Sequence, residues 1–114
     1  MLLCSHTPAP DATRLLDLGC GFGVLAVALA SASPQAHVDA VDVNERALGL
    51  TDENARAHGV GDRVTTYVPD DVPADARYDE IWSNPPIRIG KQALHALLLR
   101  WLPRLTPGGV ARLV

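Results

Sequence analysis

The feature that most constrains this sequence is a glycine-rich segment that directly follows a short apolar run. Residues 14–18 read RLLDL, and Gly19, Gly21 and Gly23 alternate through the segment behind them. An apolar run that stops at closely spaced glycines is typical of a β-strand entering a tight turn. Residues 24–32 are rich in alanine and leucine and contain neither glycine nor proline, so they predict a helix that begins at the turn.

The rest of the sequence continues this alternation of strand and helix. Apolar and polar residues alternate over 37–43, which predicts a second strand, and Asn44 is a suitable N-cap for a helix that ends at Gly59. The remaining predicted elements are a third strand at 62–68, a fourth at 78–83, a helix at 90–102, a turn at 106–109 and a fifth strand at 110–114. This order predicts an α/β fold, a doubly wound and mostly parallel Rossmann-like sheet of about five strands.

The length of 114 residues predicts a single domain over residues 1–114, and both of its ends look cut. Residues 1–6 resemble the tail of a helix without its beginning, and the fifth strand would form an exposed edge that a homodimer can cover. The sequence lacks both an apolar run of about 20 residues and a signal peptide, so we expect a cytoplasmic protein without a membrane partner. Its two cysteines do not have the spacing of a zinc site, so no metal is expected.

Two carboxylates lie at the ends of the first two predicted strands. Asp17 lies at the opening of the glycine turn, and Asp42 lies about twenty residues beyond that turn, the position at which a carboxylate often binds the hydroxyls of a ribose. A dinucleotide fingerprint that starts at Gly19 would need glycine at position 24, where this sequence has valine. An acidic residue at the turn suits a cationic ligand better than a phosphate, so the pair indicates an adenosyl ligand without phosphates. The alternative is that both are ordinary carboxylates at strand ends.

The fourth predicted strand ends at an Asn-Pro-Pro sequence. Because a residue before proline is held in an extended conformation, the Asn84 side-chain oxygen and the Pro85 carbonyl can form a rigid pair of acceptors. Such a pair can bind the two hydrogens of a planar amino group and direct its nitrogen towards an electrophile, which is catalysis by orientation. The alternative is a simple strand terminator. Asp71, in the loop after the third strand, is a candidate acceptor for an adenine amino group.

In this order, the motifs resemble those of the class I S-adenosylmethionine-dependent methyltransferases. Within that class the sequence is similar to the methyltransferase small domain of the ribosomal-RNA guanine-N2 methyltransferases, over residues 15–114. The resemblance implies S-adenosylmethionine as the cofactor. It implies that residues 15–23, including Asp17, Gly19, Gly21 and Gly23, form the cofactor motif, that Asp42 binds the ribose, and that Asp71 contacts the adenine.

For the substrate side, the resemblance implies that residues 83–86 form an amine-methylating motif in which Asn84, Pro85 and Pro86 are catalytic. Ile87 takes the place at which many relatives carry an aromatic residue that stacks on the target base, so we expect an apolar wall with weaker stacking. The family's sheet has seven strands, of which this sequence accounts for five. The implied activity is N-methylation of an exocyclic amine, and the acceptor that the resemblance favours is guanine N2 of ribosomal RNA.

Two other functions remain open at this stage. The same amino-group chemistry fits a protein glutamine or a small amine, and a chain without its last strands can be a non-catalytic cofactor-binding module. The net charge is −3, so any contact with RNA must be local. Four basic residues after the Asn-Pro-Pro sequence can either meet RNA phosphates or lie in solvent on a helix face; they are Arg88, Lys91, Arg100 and Arg104.

Overall fold

In the computed structural model, the described residues are 12–19, 23–83 and 90–113. The strands are β1 (Arg14–Leu18), β2 (His37–Val41), β3 (Val64–Tyr67), β4 (Tyr78–Ser83) and β5 (Leu105–Leu113). The helices are α1 (Val24–Ala32), α2 (Glu45–Ala57) and α3 (Lys91–Trp101). The strands form one sheet in the order β3-β2-β1-β4-β5, and every neighbouring pair is parallel. The predicted doubly wound α/β fold is confirmed.

The sheet is buried on both faces. Successive residues of a strand point to opposite sides, so Leu15 and Leu16 of β1 belong to two separate apolar clusters. The first cluster includes buried residues of α1 and α2, among them Leu29 and Leu48. The second includes Trp101, at the end of α3. Full burial of one such aliphatic side chain stabilises the fold by about 1.5–3 kcal/mol.

The second strand is shorter than predicted. It ends at Val41 rather than at Val43, because a carboxylate turns the chain out of the sheet. The Asn44 N–H donates to Oδ1 of Asp42 over 2.9 Å. The side chain of Asn44 then accepts from the backbone N–H groups of the first turn of α2, which confirms it as the predicted N-cap. Val43 is left 82% exposed between the strand and the helix.

Two other predicted elements are also shorter than expected. β3 begins at Val64 because Gly61–Arg63 form a 3-10 turn, from which the Arg63 guanidinium donates to three carbonyls around the end of α1. It ends at Tyr67, and Pro69–Asp71 form another such turn. The third helix ends at Trp101 rather than at residue 102, where a 3-10 turn with Pro103 begins.

The fifth strand begins earlier than predicted. Leu105 already pairs with Tyr78, and the next pair joins Val110 to Glu80, so β5 has three additional residues between the two pairs. The segment that the sequence indicates as a turn, 106–109, is therefore a bulge inside β5. Glycine is needed there, because a Cβ on Gly109 would lie 2.9 Å from one carbonyl oxygen and 3.0 Å from another.

Within the described part of the chain, no helix has the length and apolar character that crossing a membrane would require.

The start of α1 lies directly against α2. Gly23, the N-cap of α1, has φ +86°, a conformation that residues with a side chain rarely adopt. A Cβ at this position would lie 2.8 Å from the Cα of Thr51, which is fully buried in α2. The absence of a side chain therefore fixes the distance between the end of the glycine turn and α2.

Gly23→Ala tests this close approach. We expect it to lower the free energy of unfolding by about 1–3 kcal/mol, because the new Cβ meets the Cα and the buried side chain of Thr51 and the positive φ is strained. The matched control is Gly49→Ala, in the interior of α2, where nothing lies within 4 Å of the added carbon. That change should raise the free energy of unfolding by about 0.5–1 kcal/mol through helix propensity. Urea denaturation of the three proteins measures both effects, and equal stability of the two variants would contradict the prediction.

Candidate functional site at the carboxyl ends of the strands

The carboxyl ends of β1, β2 and β4 meet at one edge of the sheet. Leu18, the last residue of β1, pairs with Val41 on one side and with Ser83 on the other. The glycine turn, Asp42 and the Asn-Pro-Pro sequence each follow one of these three paired residues in the chain. The order of strands thus gathers the three sequence-predicted elements at the edge where ligands bind in open parallel sheets.

The glycine turn connects the end of β1 to the start of α1. The Gly19 N–H donates to the Val41 carbonyl over 2.7 Å, which ties the beginning of the turn to β2. Gly23 closes the turn against α2, as described above. Position 21, also predicted to contribute to this turn, lies outside the described residues. Helix α1 begins without a capping side chain at Gly23 and without an acidic residue in its first turn.

Asp17 is the most unusual residue of this edge. Its side chain is fully buried, and neither carboxylate oxygen has a hydrogen-bond partner of ordinary geometry among the described residues. Burial, followed by the negative charge of Asp42, raises the pKa of Asp17 from 3.8 to about 7, and the backbone N–H of Ala26 only partly opposes the rise. A buried carboxylate without donors is costly, so this position favours a ligand that brings a cation or hydrogen-bond donors.

Asp42 is half-buried and lies directly beyond β2. Its Oδ1 accepts from the Asn44 N–H, which orients the carboxylate at the start of α2. The neighbouring Val43 could not be recognised from the sequence as a candidate for this site, because its apolar character continues the alternating pattern of the strand before it. Its exposure of 82% and that of Val24, 56%, place two apolar side chains in solvent beside the acidic ones. Exposed valines of this kind can pack against a flat apolar ring.

The loop after β3 contains two adjacent carboxylates that have different surroundings. Asp70 pairs with Arg100 of α3, with 3.0 Å between its Oδ1 and the arginine Nη2. Asp71, the sequence-predicted contact for an adenine, is exposed in the same 3-10 turn. Asp70 therefore links the loop to α3. The adenine contact assigned to Asp71 stays a prediction.

The Asn-Pro-Pro sequence, with Asn84, Pro85, Pro86 and Ile87, lies outside the described residues. The strand that leads into it is well fixed, because Ser83 is buried and its Oγ lies 3.5 Å from the Leu18 carbonyl oxygen. The roles assigned to these four residues stay predictions.

The described part of this edge has the chemistry of a site for a cationic ligand with hydroxyl groups. It combines a buried carboxylate at β1, a second carboxylate at β2 and the exposed Val43. Two carboxylates would repel a phosphate, whereas they attract an ammonium or sulfonium group and accept hydrogen bonds from hydroxyls.

Comparisons with known proteins agree with this chemistry. Residues 1–114 match the Methyltransferase small domain family. The chain is 39% identical over 118 residues to the Ribosomal RNA small subunit methyltransferase C of Klebsiella pneumoniae, covering 99% of this chain and 34% of that protein. It is 42% identical over 98 residues to the Release factor glutamine methyltransferase of Bordetella pertussis, covering 82% of this chain and 35% of that protein.

Solved structures share the fold. TrmN from Thermus thermophilus superposes with a TM-score of 0.78 at 32% identity, over 98% of this chain and 36% of that one. Coclaurine N-methyltransferase, solved with N-methylheliamine and SAH, superposes with a TM-score of 0.80 over 98% of this chain and 33% of that one, and at 24% identity it speaks for the fold alone. The chain spans between about a third and a half of the length of the curated relatives it matches. The chain belongs to the methyltransferase small domain family, a family of S-adenosylmethionine-dependent methyltransferases.

Proposed function

We propose that this chain is the cofactor-binding core of an S-adenosylmethionine-dependent N-methyltransferase that acts on an exocyclic amine, guanine N2 of ribosomal RNA. The observation that carries the proposal is the buried Asp17 carboxylate, which has no hydrogen bond of ordinary geometry among the described residues and lies at the carboxyl edge of the sheet. Such a group calls for a cationic ligand. S-adenosylmethionine fits this need, because it carries an ammonium and a sulfonium group and no phosphate.

The remaining described residues suit the other parts of the cofactor. Asp42 is oriented by the Asn44 N–H and can accept hydrogen bonds from the two ribose hydroxyls. Val43 offers an apolar surface beside it for the adenine ring, and Asp71 can accept from the adenine amino group. Gly19 and Gly23 let the methionine part approach the backbone without meeting a Cβ.

The acceptor side of the proposal rests on Asn84 and Pro85. When bound, S-adenosylmethionine supplies a methyl group that is activated by the positively charged sulfur. The Asn84 oxygen and the Pro85 carbonyl would hold the two hydrogens of the acceptor amino group and direct its nitrogen lone pair along the line of attack. No strong base is required, because the methylated nitrogen becomes acidic and loses its proton afterwards. Ile87 would form an apolar wall for the acceptor base.

Support for an RNA acceptor comes from relatives rather than from charge. The ribosomal RNA methyltransferase of Klebsiella pneumoniae matches almost the whole chain. Two of the basic residues considered above have partners within the chain: Arg100 pairs with Asp70, and Arg104 donates to the Pro73 carbonyl. Both guanidinium groups also lie over the ring of Trp101. These two arginines therefore serve the packing of α3, which leaves Lys91 as the exposed basic residue nearest to the Asn-Pro-Pro sequence within the described part.

A protein glutamine is the second candidate acceptor. The observation that favours it is the 42% identity to a release factor glutamine methyltransferase. A glutamine amide and guanine N2 both present a planar amino group, so the same acceptor pair suits either of them.

Asp42→Asn tests the cofactor site. We expect it to weaken S-adenosylmethionine binding about tenfold to a hundredfold, because hydrogen bonds from hydroxyls to a charged acceptor contribute about 1.5–3 kcal/mol. The matched control is Asp62→Asn, an exposed position just before β3, at the opposite edge of the sheet. Calorimetric titration of the three proteins measures the affinities. Equal affinity of the Asp42 variant and the parent would refute the ribose role.

Asn84→Ala tests the acceptor pair. We expect it to lower kcat for methyl transfer about a hundredfold to a thousandfold, the usual effect of removing one preorganised group, while the affinity for S-adenosylmethionine stays unchanged. The assay compares small-subunit ribosomal RNA, a glutamine peptide and free amines as acceptors of a radioactive methyl group. Transfer to RNA alone supports the first acceptor and transfer to the peptide alone supports the second. A variant as active as the parent would rule out the role of Asn84.

A further inference from the structure

The ionisable groups around Asp17 are unevenly distributed. Glu80 of β4 lies on the same face of the sheet as Asp17, because it pairs with Leu15, two residues before Asp17 in β1. Glu80 has its own partners, because its Oε1 accepts from Trp82 Nε1 over 2.9 Å and lies 3.5 Å from Nε of Arg112. Asp42, beyond the end of β2, adds another negative charge. Of the guanidinium groups described on this face, that of Arg112 is engaged by Glu80, and that of Arg63 donates to three carbonyls around the end of α1.

The helices supply no compensating charge. Residues 24–32 of α1 contain no ionisable side chain, and the buried positions of α2 are all non-ionisable. Asp39 lies on the opposite face of the sheet, where Tyr78, Arg14 and His37 surround it. Residues 20–22 and 84–89 lie outside the described part, and the ionisable groups in their sequence are Cys20 and Arg88.

We infer that Asp17 holds a proton in the free protein up to about neutral pH and gives it to the solvent when a cationic ligand enters the cleft, so that cofactor binding releases a proton; this inference rests on the function proposed above. Three observations support it: full burial of the carboxylate, no hydrogen bond of ordinary geometry to either oxygen among the described residues, and a second carboxylate nearby. Each of them disfavours the ionised form until a positive charge arrives.

The direction of the pH dependence follows from this proton. The pKa of Asp17 in the free protein is about 7, above its ordinary value of 3.8. The carboxylate that attracts the cation is therefore formed only as the pH rises through 7, so affinity increases with pH. With a single titrating group at this pKa, binding is about tenfold weaker at pH 6 than at pH 8. Proton release is about 0.9 per bound ligand at pH 6 and about 0.1 at pH 8.

Calorimetry in two buffers of different ionisation enthalpy measures this release directly. The protein is titrated with S-adenosylhomocysteine, which keeps the ammonium group of the cofactor, at several pH values. Asp17→Asn is the decisive variant, because it keeps the shape of the side chain and removes its titration. The ligand's own protonation affects both proteins, so the difference between them isolates Asp17. The control is Asp62→Asn, which should release as many protons as the parent.

The outcomes separate this inference from the proposed function. Larger proton release by the parent than by the Asp17 variant, decreasing from pH 6 to pH 8, supports the inference. Saturable binding with the same proton release in both proteins overturns it and leaves the proposed function standing. No saturable binding of the parent at any pH overturns both.

A measurement without ligand covers the case in which Asp17→Asn binds too weakly for calorimetry. Asp17 releases its proton near pH 4 in the unfolded chain and only near pH 7 in the folded protein, so the parent loses stability as the pH rises from about 4 to about 7. The difference in unfolding midpoint between the Asp17 variant and the parent should therefore change in favour of the variant as the pH is raised from about 5 to about 8. A difference that is constant over this range overturns the inference.

Discussion

The central position of β1 is the constraint on which the rest of this structure depends. Because β1 lies between β2 and β4, the residues that follow these three strands meet at one edge of the sheet. The acidic residue after β2 lies about 20 residues beyond the glycine turn, and the Asn-Pro-Pro sequence begins about 40 residues further along the chain. Parallel pairing with right-handed crossovers is what gathers them. The fold therefore determines the place of the site, and the side chains at that edge determine its chemistry.

The site itself contains a carboxyl group whose ionised form is electrostatically unfavourable. Asp17 is buried without a hydrogen bond of ordinary geometry among the described residues, and Asp42 makes its ionisation more difficult still. A protein can retain such an arrangement only when packing elsewhere supports it. Here the support comes from both faces of the sheet and from the close contact of Gly23 with Thr51, which fixes the start of α1. A cationic ligand would offset the free-energy cost of ionising Asp17. We therefore connect the burial of this carboxylate with cofactor binding.

Much of the fold could be predicted from the sequence, because its local signals are strong. The bounds of β1, α1 and β4 are confirmed residue for residue, since glycines, prolines or capping residues mark their ends. The start of β5 could not be predicted: Thr-Pro-Gly-Gly has the same composition in a turn between elements as in a bulge within a strand, and only pairing with β4 distinguishes the two. The exposure of Val43 depends on the turn formed by Asp42 and Asn44, which apolar alternation does not reveal. The position of Asp17 was predictable, but its raised pKa was not, because that depends on how deeply the packed helices bury the carboxylate and on the charge of Asp42.

The most direct test of this account is a crystal structure of the chain with S-adenosylhomocysteine, in which the contacts of the ligand's ammonium group and ribose are measured. The account predicts the ammonium group within hydrogen-bond distance of Asp17, or bridged to it by one water, and both ribose hydroxyls on Asp42. A ligand bound away from the carboxyl ends of β1 and β2, or bound there with Asp17 still lacking any donor, would contradict it.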